Sequence, residues 1–79
     1  MRTYLFNLRH ERRLTQAELA RLTGLGQSYY HAIEHGERQQ NMKLSTIEKL
    51  ADALNLPVQT IINAETDYRA RALNEEAYK

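Results

Sequence analysis

The side chains in this 79-residue chain best suited to chemistry crowd into one stretch, Thr15 to Lys43. Within it, His31-Ala32-Ile33-Glu34-His35 has the His-x-x-Glu-His spacing of one class of zinc peptidases, and histidines four apart can share a helix face and bind zinc. A catalytic zinc site also needs a third protein ligand, a cleft and a body that binds substrate, for which so short a chain is poorly equipped. The bland reading, two histidines facing solvent or an anion, accounts for the same residues. There is no cysteine to act as nucleophile or thiolate ligand. Gly24-x-Gly26 follows a helical stretch and not a strand, so it is no nucleotide fingerprint. The pattern predicts no enzyme, no metal site and no cofactor.

The elements that must position these residues are helical. Tyr4, Leu5, Leu8 and Arg12 line one face of a first helix, about Thr3 to Arg12. Thr15 and Glu18 then form a Thr-x-x-Glu capping box, with Leu14 and Leu19 at the flanking hydrophobic-staple positions. The second helix, about Gln16 to Leu22, breaks at Thr23-Gly24-Leu25-Gly26, where Gly24 suits a left-handed C-terminal residue. A third helix starts near Gln27, carries Tyr30 and Ile33 inward and stops at Gly36. Two short helices joined by about four residues that include glycine form a helix-turn-helix pattern.

Glu37 to Lys43 reads as an exposed polar loop. A fourth helix runs from about Leu44 or Ser45 to Leu54, with Leu44, Ile47, Leu50, Ala51 and Leu54 on one face. Ser45 and Glu48 offer it a capping box, and Asn41 an earlier start. Pro57 suits the first turn of a fifth helix anchored by Val58, Ile61 and Ile62. The remainder, Glu65 to Lys79, is helix-permissive, with Glu65/Arg69 and Asp67/Arg71 at i,i+4 and Ala70, Leu73 and Ala77 roughly on one stripe. It is either a short sixth helix used in dimerisation or a frayed terminus. The division expected is therefore a domain over residues 1–64 and a tail over residues 65–79.

Bulk properties agree with a small globular domain: 42% of residues are hydrophobic and 27% charged, with one proline. The core is modest at this size. The net charge of +1 hides an asymmetry. Met1 to Lys43 carries seven Lys/Arg against four acids, and Leu44 to Lys79 four against six. A basic half joined to an acidic half suits one face for an anion and another for protein contacts. No apolar run approaches the ~20 residues of a membrane span, and Met1-Arg2-Thr3 leads into no signal-like stretch, so a cytoplasmic location with no membrane partner is expected.

Thr15-Gln16-Ala17-Glu18-Leu19-Ala20, Gly24, Gln27-Ser28-Tyr29, Ile33-Glu34, Gly36 and Leu44-x-Thr46-Ile47-x-Lys49-Leu50-Ala51-x-Ala53-Leu54 together resemble the Cro/C1-type (XRE-like) helix-turn-helix family of phage repressors and bacterial transcriptional regulators. The resemblance spans about Leu8 to Ile62. It implies an all-α, lambda-repressor-like fold of five helices, with the helix-turn-helix at the second and third. Ala20 must then be small where those helices meet. Tyr30 and Thr23 depart from the family's branched aliphatics; Tyr30 is expected to stay internal with its hydroxyl at the edge, and Thr23 to leave its corner less tightly packed.

In such proteins the third helix lies in the DNA major groove. Carried over, Gln27, Ser28 and Ala32, with neighbouring Tyr29 and His31, face the bases. Gln27 can donate and accept together, as adenine requires, while Ala32 offers only a methyl. Thr15 and Gln16 at the start of helix two, with His35, Arg38, Gln39 and Lys43, are the phosphate candidates. The loop carrying the last three is longer than the family's usual form and lacks its proline. Arg9 and Glu34 match a buried ion pair of close relatives; the other reading is two solvated surface charges.

The resemblance implies a sequence-specific DNA-binding regulator, a repressor that often acts on its own promoter. Its partners would be double-stranded DNA and a second copy, on a palindromic operator with half-sites about one helical turn (~34 Å) apart. The alternative is an antitoxin or accessory factor that holds a protein partner through its C-terminal half. If Arg9 and Glu34 are paired, Glu34→Ala costs ~3–5 kcal/mol and Glu37→Ala little. Thermal melts of the two variants decide this, and similar melting temperatures contradict it.

Overall fold

The computed structural model describes residues 1–77, with side-chain surroundings described through residue 73. Its described residues form five helices: α1 (Thr3–Glu11), α2 (Gln16–Thr23), α3 (Gln27–Glu34), α4 (Leu44–Leu54) and α5 (Val58–Ala77). α1 packs on α3, α2 on α3 and α4, and α4 on α5. Their shared core is Leu5, Leu19, Ala20, Tyr30, Ile33, Ile47, Leu50, Ala51, Leu54 and Ile61.

The boundaries follow local chemistry. At the start of α2 the Thr15 hydroxyl accepts from the Glu18 amide at 3.1 Å, and the Glu18 carboxylate accepts from the Thr15 amide at 3.0 Å. Leu14, at the staple position, packs against the core to which Leu19 belongs. Gly24 ends α2 at φ 75°, a left-handed conformation that would strain any residue with a Cβ. The Thr23 hydroxyl is buried and donates within reach of both Leu19 and Ala20 carbonyls, 2.9 Å each. That corner is closed by a polar bond to the helix itself, and not left slack as expected.

Other expectations are corrected. α4 starts at Leu44 with Lys43 at its cap and no side-chain cap bond, so neither Ser45 nor Asn41 caps it. Leu44 is exposed and not on the core face. At the other end, Asn55 in the left-handed conformation (φ 56°) closes α4, and the Arg12 Nε donates to the Leu54 carbonyl at 2.8 Å. Tyr30 is fully buried, with its hydroxyl inside and lacking a hydrogen-bond partner, where its tip was expected to reach the edge. Burial, then the charge of Glu34, pushes its phenol well above the ordinary tyrosine range.

The residues read as a sixth helix continue α5 without a break to Ala77. Asp67 and Arg71 pair at 3.1 Å, but Glu65 turns inward to Arg2 and not to Arg69. The side chain of Ala77 on the proposed stripe, and Tyr78 and Lys79, lie outside what is described.

α5 also constrains the end of α3. Gly36 has φ 80°, and a Cβ there would stand 2.6 Å from the Tyr68 hydroxyl. Gly36→Ala is expected to cost about 1–2 kcal/mol for the left-handed backbone alone. Urea unfolding of Gly36→Ala, Tyr68→Phe and the double variant checks this. The backbone penalty persists when Tyr68 loses its hydroxyl; complete rescue by Tyr68→Phe contradicts it.

Candidate nucleic-acid interface

α3 has eight residues and two unlike faces. Tyr30, Ile33 and Glu34 are buried, as the i, i+3, i+4 spacing requires. Gln27, Ser28, Tyr29, His31 and His35 are exposed and Ala32 is half-buried. Gln27, Ser28, His31 and Ala32 therefore share the outer face, with Tyr29 at its flank.

Buried arginines hold this helix from beneath. Arg9 Nη2 lies 3.1 Å from Glu34 Oε1, and Arg9 Nη1 donates to the Leu14 carbonyl at 2.9 Å. The other Glu34 oxygen accepts from Gln16 Nε2 at 3.1 Å. Gln16 Oε1 in turn lies 2.9 Å from His31 Nδ1. A continuous chain thus runs from α1 through the core to an exposed imidazole on α3. Gln16 keeps one free N–H for a phosphate, its other N–H being held by Glu34 and its oxygen by His31.

A second network forms across the α3–α4 connection. Gln39 Nε2 donates to the Tyr29 hydroxyl at 2.7 Å, and Gln39 Oε1 accepts from the Lys43 amide at 3.1 Å. Arg38 and Lys43 are exposed on this loop. Hydrogen bonds therefore link five of the candidates into two sets, Gln16 with His31 and Gln39 with Tyr29 and Lys43, and bring Gln27, Ser28, Ala32, His35 and Arg38 into neither. The Thr15 hydroxyl is occupied by its own cap.

In the His31–His35 stretch the glutamate and the histidines face opposite ways. Glu34 is wholly buried on Arg9 and Gln16, while the rings of His31 and His35 lie tilted against each other at the surface with centroids 4.2 Å apart. Among the described residues no three His, Cys, Asp or Glu side chains converge as a metal site.

Several residues that shape this surface were not singled out from sequence. Beside the start of α2, the unanticipated His10 and Arg13 line one open groove together with the expected Arg9, Thr15, Gln16 and Gln27. Arg13, at φ 55°, adds an exposed cation to it. Arg2 is fully buried and forms a two-bond pair with Glu65, 2.8 and 2.9 Å. Desolvation alone would lower the Arg2 pKa, but Glu65 more than offsets it and holds the guanidinium above its ordinary value. Tyr4 also donates to Glu65 at 2.7 Å, and burial followed by that bond raises its phenol. The sequence signal for Arg2–Glu65 is weak, since the partners are 63 positions apart.

Two short helices meeting at a glycine turn, with the second presenting a polar outer face, define a helix-turn-helix domain. A family model described as a helix-turn-helix domain matches residues 1–61, and the chain belongs to this family, in its Cro/C1-type branch. It is 42% identical over 59 residues to the immunity repressor protein of Bacillus phage phi105, a match covering 75% of this chain and 40% of that protein. It is 40% identical over 57 residues to the cryptic phage CTXphi transcriptional repressor RstR of Vibrio cholerae, covering 72% of this chain and 50% of that protein. The chain thus spans half or less of the length of these relatives. Among the described residues no helix is long and apolar enough to cross a membrane.

The capping box generates a pH prediction. The Thr15 backbone N–H, then its hydroxyl contact, holds the Glu18 carboxyl below the usual carboxylate range. A lowered folded-state pKa contributes stability above the unfolded pKa, and that contribution is lost as pH falls through the folded value. The stability gap between the unaltered chain and Glu18→Gln should therefore be present at neutral pH and close on acidification below the carboxylate range. A gap independent of pH in urea titrations contradicts this.

Proposed function

We propose that this chain is a DNA-binding transcriptional repressor module that reads duplex DNA through the major groove with the outer face of α3. The observation that carries the reading is the two-sidedness of α3. Its inner face is tied to α1 and α2 by Arg9, Glu34 and Gln16, and its outer face leaves Gln27, Ser28 and His31 open. A helix about 10–12 Å across with side chains fits a major groove about 12 Å wide. The repressor names of the two relatives support the same reading.

In this reading Gln27 is the principal base contact, paired bidentately with adenine, and Ser28, Tyr29 and His31 supplement it. Ala32 adds a methyl contact. Gln16, His35, Arg38, Gln39 and Lys43 meet phosphates, with the α2 cap at Thr15 beside them. The chain acts as a homodimer on a two-fold operator, and the tail over residues 65–79 supplies the dimerisation element.

Selection of bound duplexes from a random pool at defined salt tests this. The expected result is a palindromic preference, relaxed at one base pair per half-site by Gln27→Ala at a cost of about 1–3 kcal/mol. Recovery of no preferred sequence by folded protein overturns the reading in favour of an accessory factor. An unchanged preference in Gln27→Ala overturns the assigned contact.

A further inference from the structure

Arg2 stands apart from the other cations. A guanidinium has five N–H donors, and at Arg2 all five are engaged. Nε and one Nη2 hydrogen hold the two oxygens of Glu65 on α5, at 2.8 and 2.9 Å. Nη1 donates to the Ile33 carbonyl at 2.6 Å and to the Arg38 carbonyl at 3.2 Å, and Nη2 also donates to the Gln39 carbonyl. The Arg2 amide reaches the Glu34 carbonyl at 2.7 Å, and Tyr68 lies against the guanidinium, 5.0 Å from ring centroid to Cζ.

Three of the five donors thus act on main-chain oxygens at the end of α3 and in the loop after it. Gln39 sits there in the left-handed conformation at φ 53°. A non-glycine residue keeps that conformation only where its surroundings enforce it. Arg2 holds the Gln39 carbonyl from inside, while Tyr29 and the Lys43 amide hold its side chain from outside. The orientation of Arg38 and Lys43 follows from a residue gripped on both sides.

We propose that Arg2 and Glu65 are positioning residues for the DNA interface: they fix the α3–α4 loop in the shape that presents its cations and amides to phosphate. The inference rests on the DNA-binding reading above. Neither residue touches DNA in this account, and α5 becomes mechanically joined to the loop. Lysine cannot replace Arg2, because an ammonium has three donors and lacks the planar fork that grips a carboxylate and two carbonyls together. Because phosphate contacts carry little base information, loosening the loop should weaken binding without changing what is read.

The probe is a short duplex bearing the sequence that the unaltered chain enriches, titrated over a salt series. Arg2→Lys and Glu65→Gln are compared with the unaltered chain at a temperature where circular dichroism shows each folded. Expected is binding about tenfold weaker, a salt slope shallower by about one to two, and unchanged preference at the base read by Gln27. Tyr4→Phe removes only one bond to Glu65 and shifts both quantities less, in the same direction. It decides the matter if the stronger variants do not fold. Earlier melting with unchanged affinity and salt slope overturns the proposal, leaving a purely structural pair. Loss of base preference together with affinity also overturns it, since α3 itself would then have moved. Failure of the DNA-binding reading would show separately, as no enriched duplex for the unaltered chain.

Discussion

The presentation of α3 depends on guanidinium groups buried beneath its C-terminal turn. Only Tyr30 and Ile33 anchor the helix by apolar burial, worth roughly 1.5–3 kcal/mol for a side chain of the Ile33 kind. An eight-residue helix is too short to persist by itself. Arg9 binds its Glu34 carboxylate, and Arg2 binds the carbonyls of Ile33 and, through its amide, Glu34. Charges removed from water are costly unless each is paired and hydrogen-bonded. Here Glu34 also has Gln16, and Glu65 also has Tyr4, so the carboxylates are well satisfied. Orphans remain at Arg9 Nε and the Tyr30 hydroxyl, the two buried side-chain polar atoms without partners among the described residues.

This arrangement alters what the charge asymmetry means. Arg2 and Arg9 are neutralised inside, and Arg12 is committed to the carbonyls of Leu8 and Leu54. The exposed cations of the N-terminal half are Arg13, Arg21, Arg38 and Lys43. Arg2 moreover pairs with an acid of the C-terminal half, so part of the apparent division between basic and acidic halves is one internal salt bridge.

Local signals were legible where a short-range device sets the structure. Thr15 with Glu18, and Gly24 at the turn, place α2 and the start of α3 because each acts within a few residues. The inward set Tyr30 and Ile33 follows from helical period alone. Signals failed where partners are remote or compete. Glu65 had an adjacent candidate, Arg69, but a buried two-bond pairing with Arg2 won over an exposed i,i+4 contact of a few tenths of a kcal/mol. Ser45 and Asn41 both offered caps, yet α4 starts at Leu44 without either. For the candidate interface, the exposure of Gln27, Ser28, Tyr29 and His31 on α3 was legible from helical period, but not that Gln16 and Gln39 have most of their hydrogen-bonding groups engaged by neighbours.

In the proposed complex the outer face of α3 and the loop behind it meet duplex DNA while the buried arginines stay in place. Amide-resolved NMR titration of the chain with its enriched duplex tests this most directly. The account predicts the largest shifts at Gln27, Ser28, His31 and Arg38 to Lys43, with the Arg2 and Arg9 side-chain signals still protected from solvent exchange. Shifts concentrated on α4 and α5, or loss of that protection on binding, would contradict it.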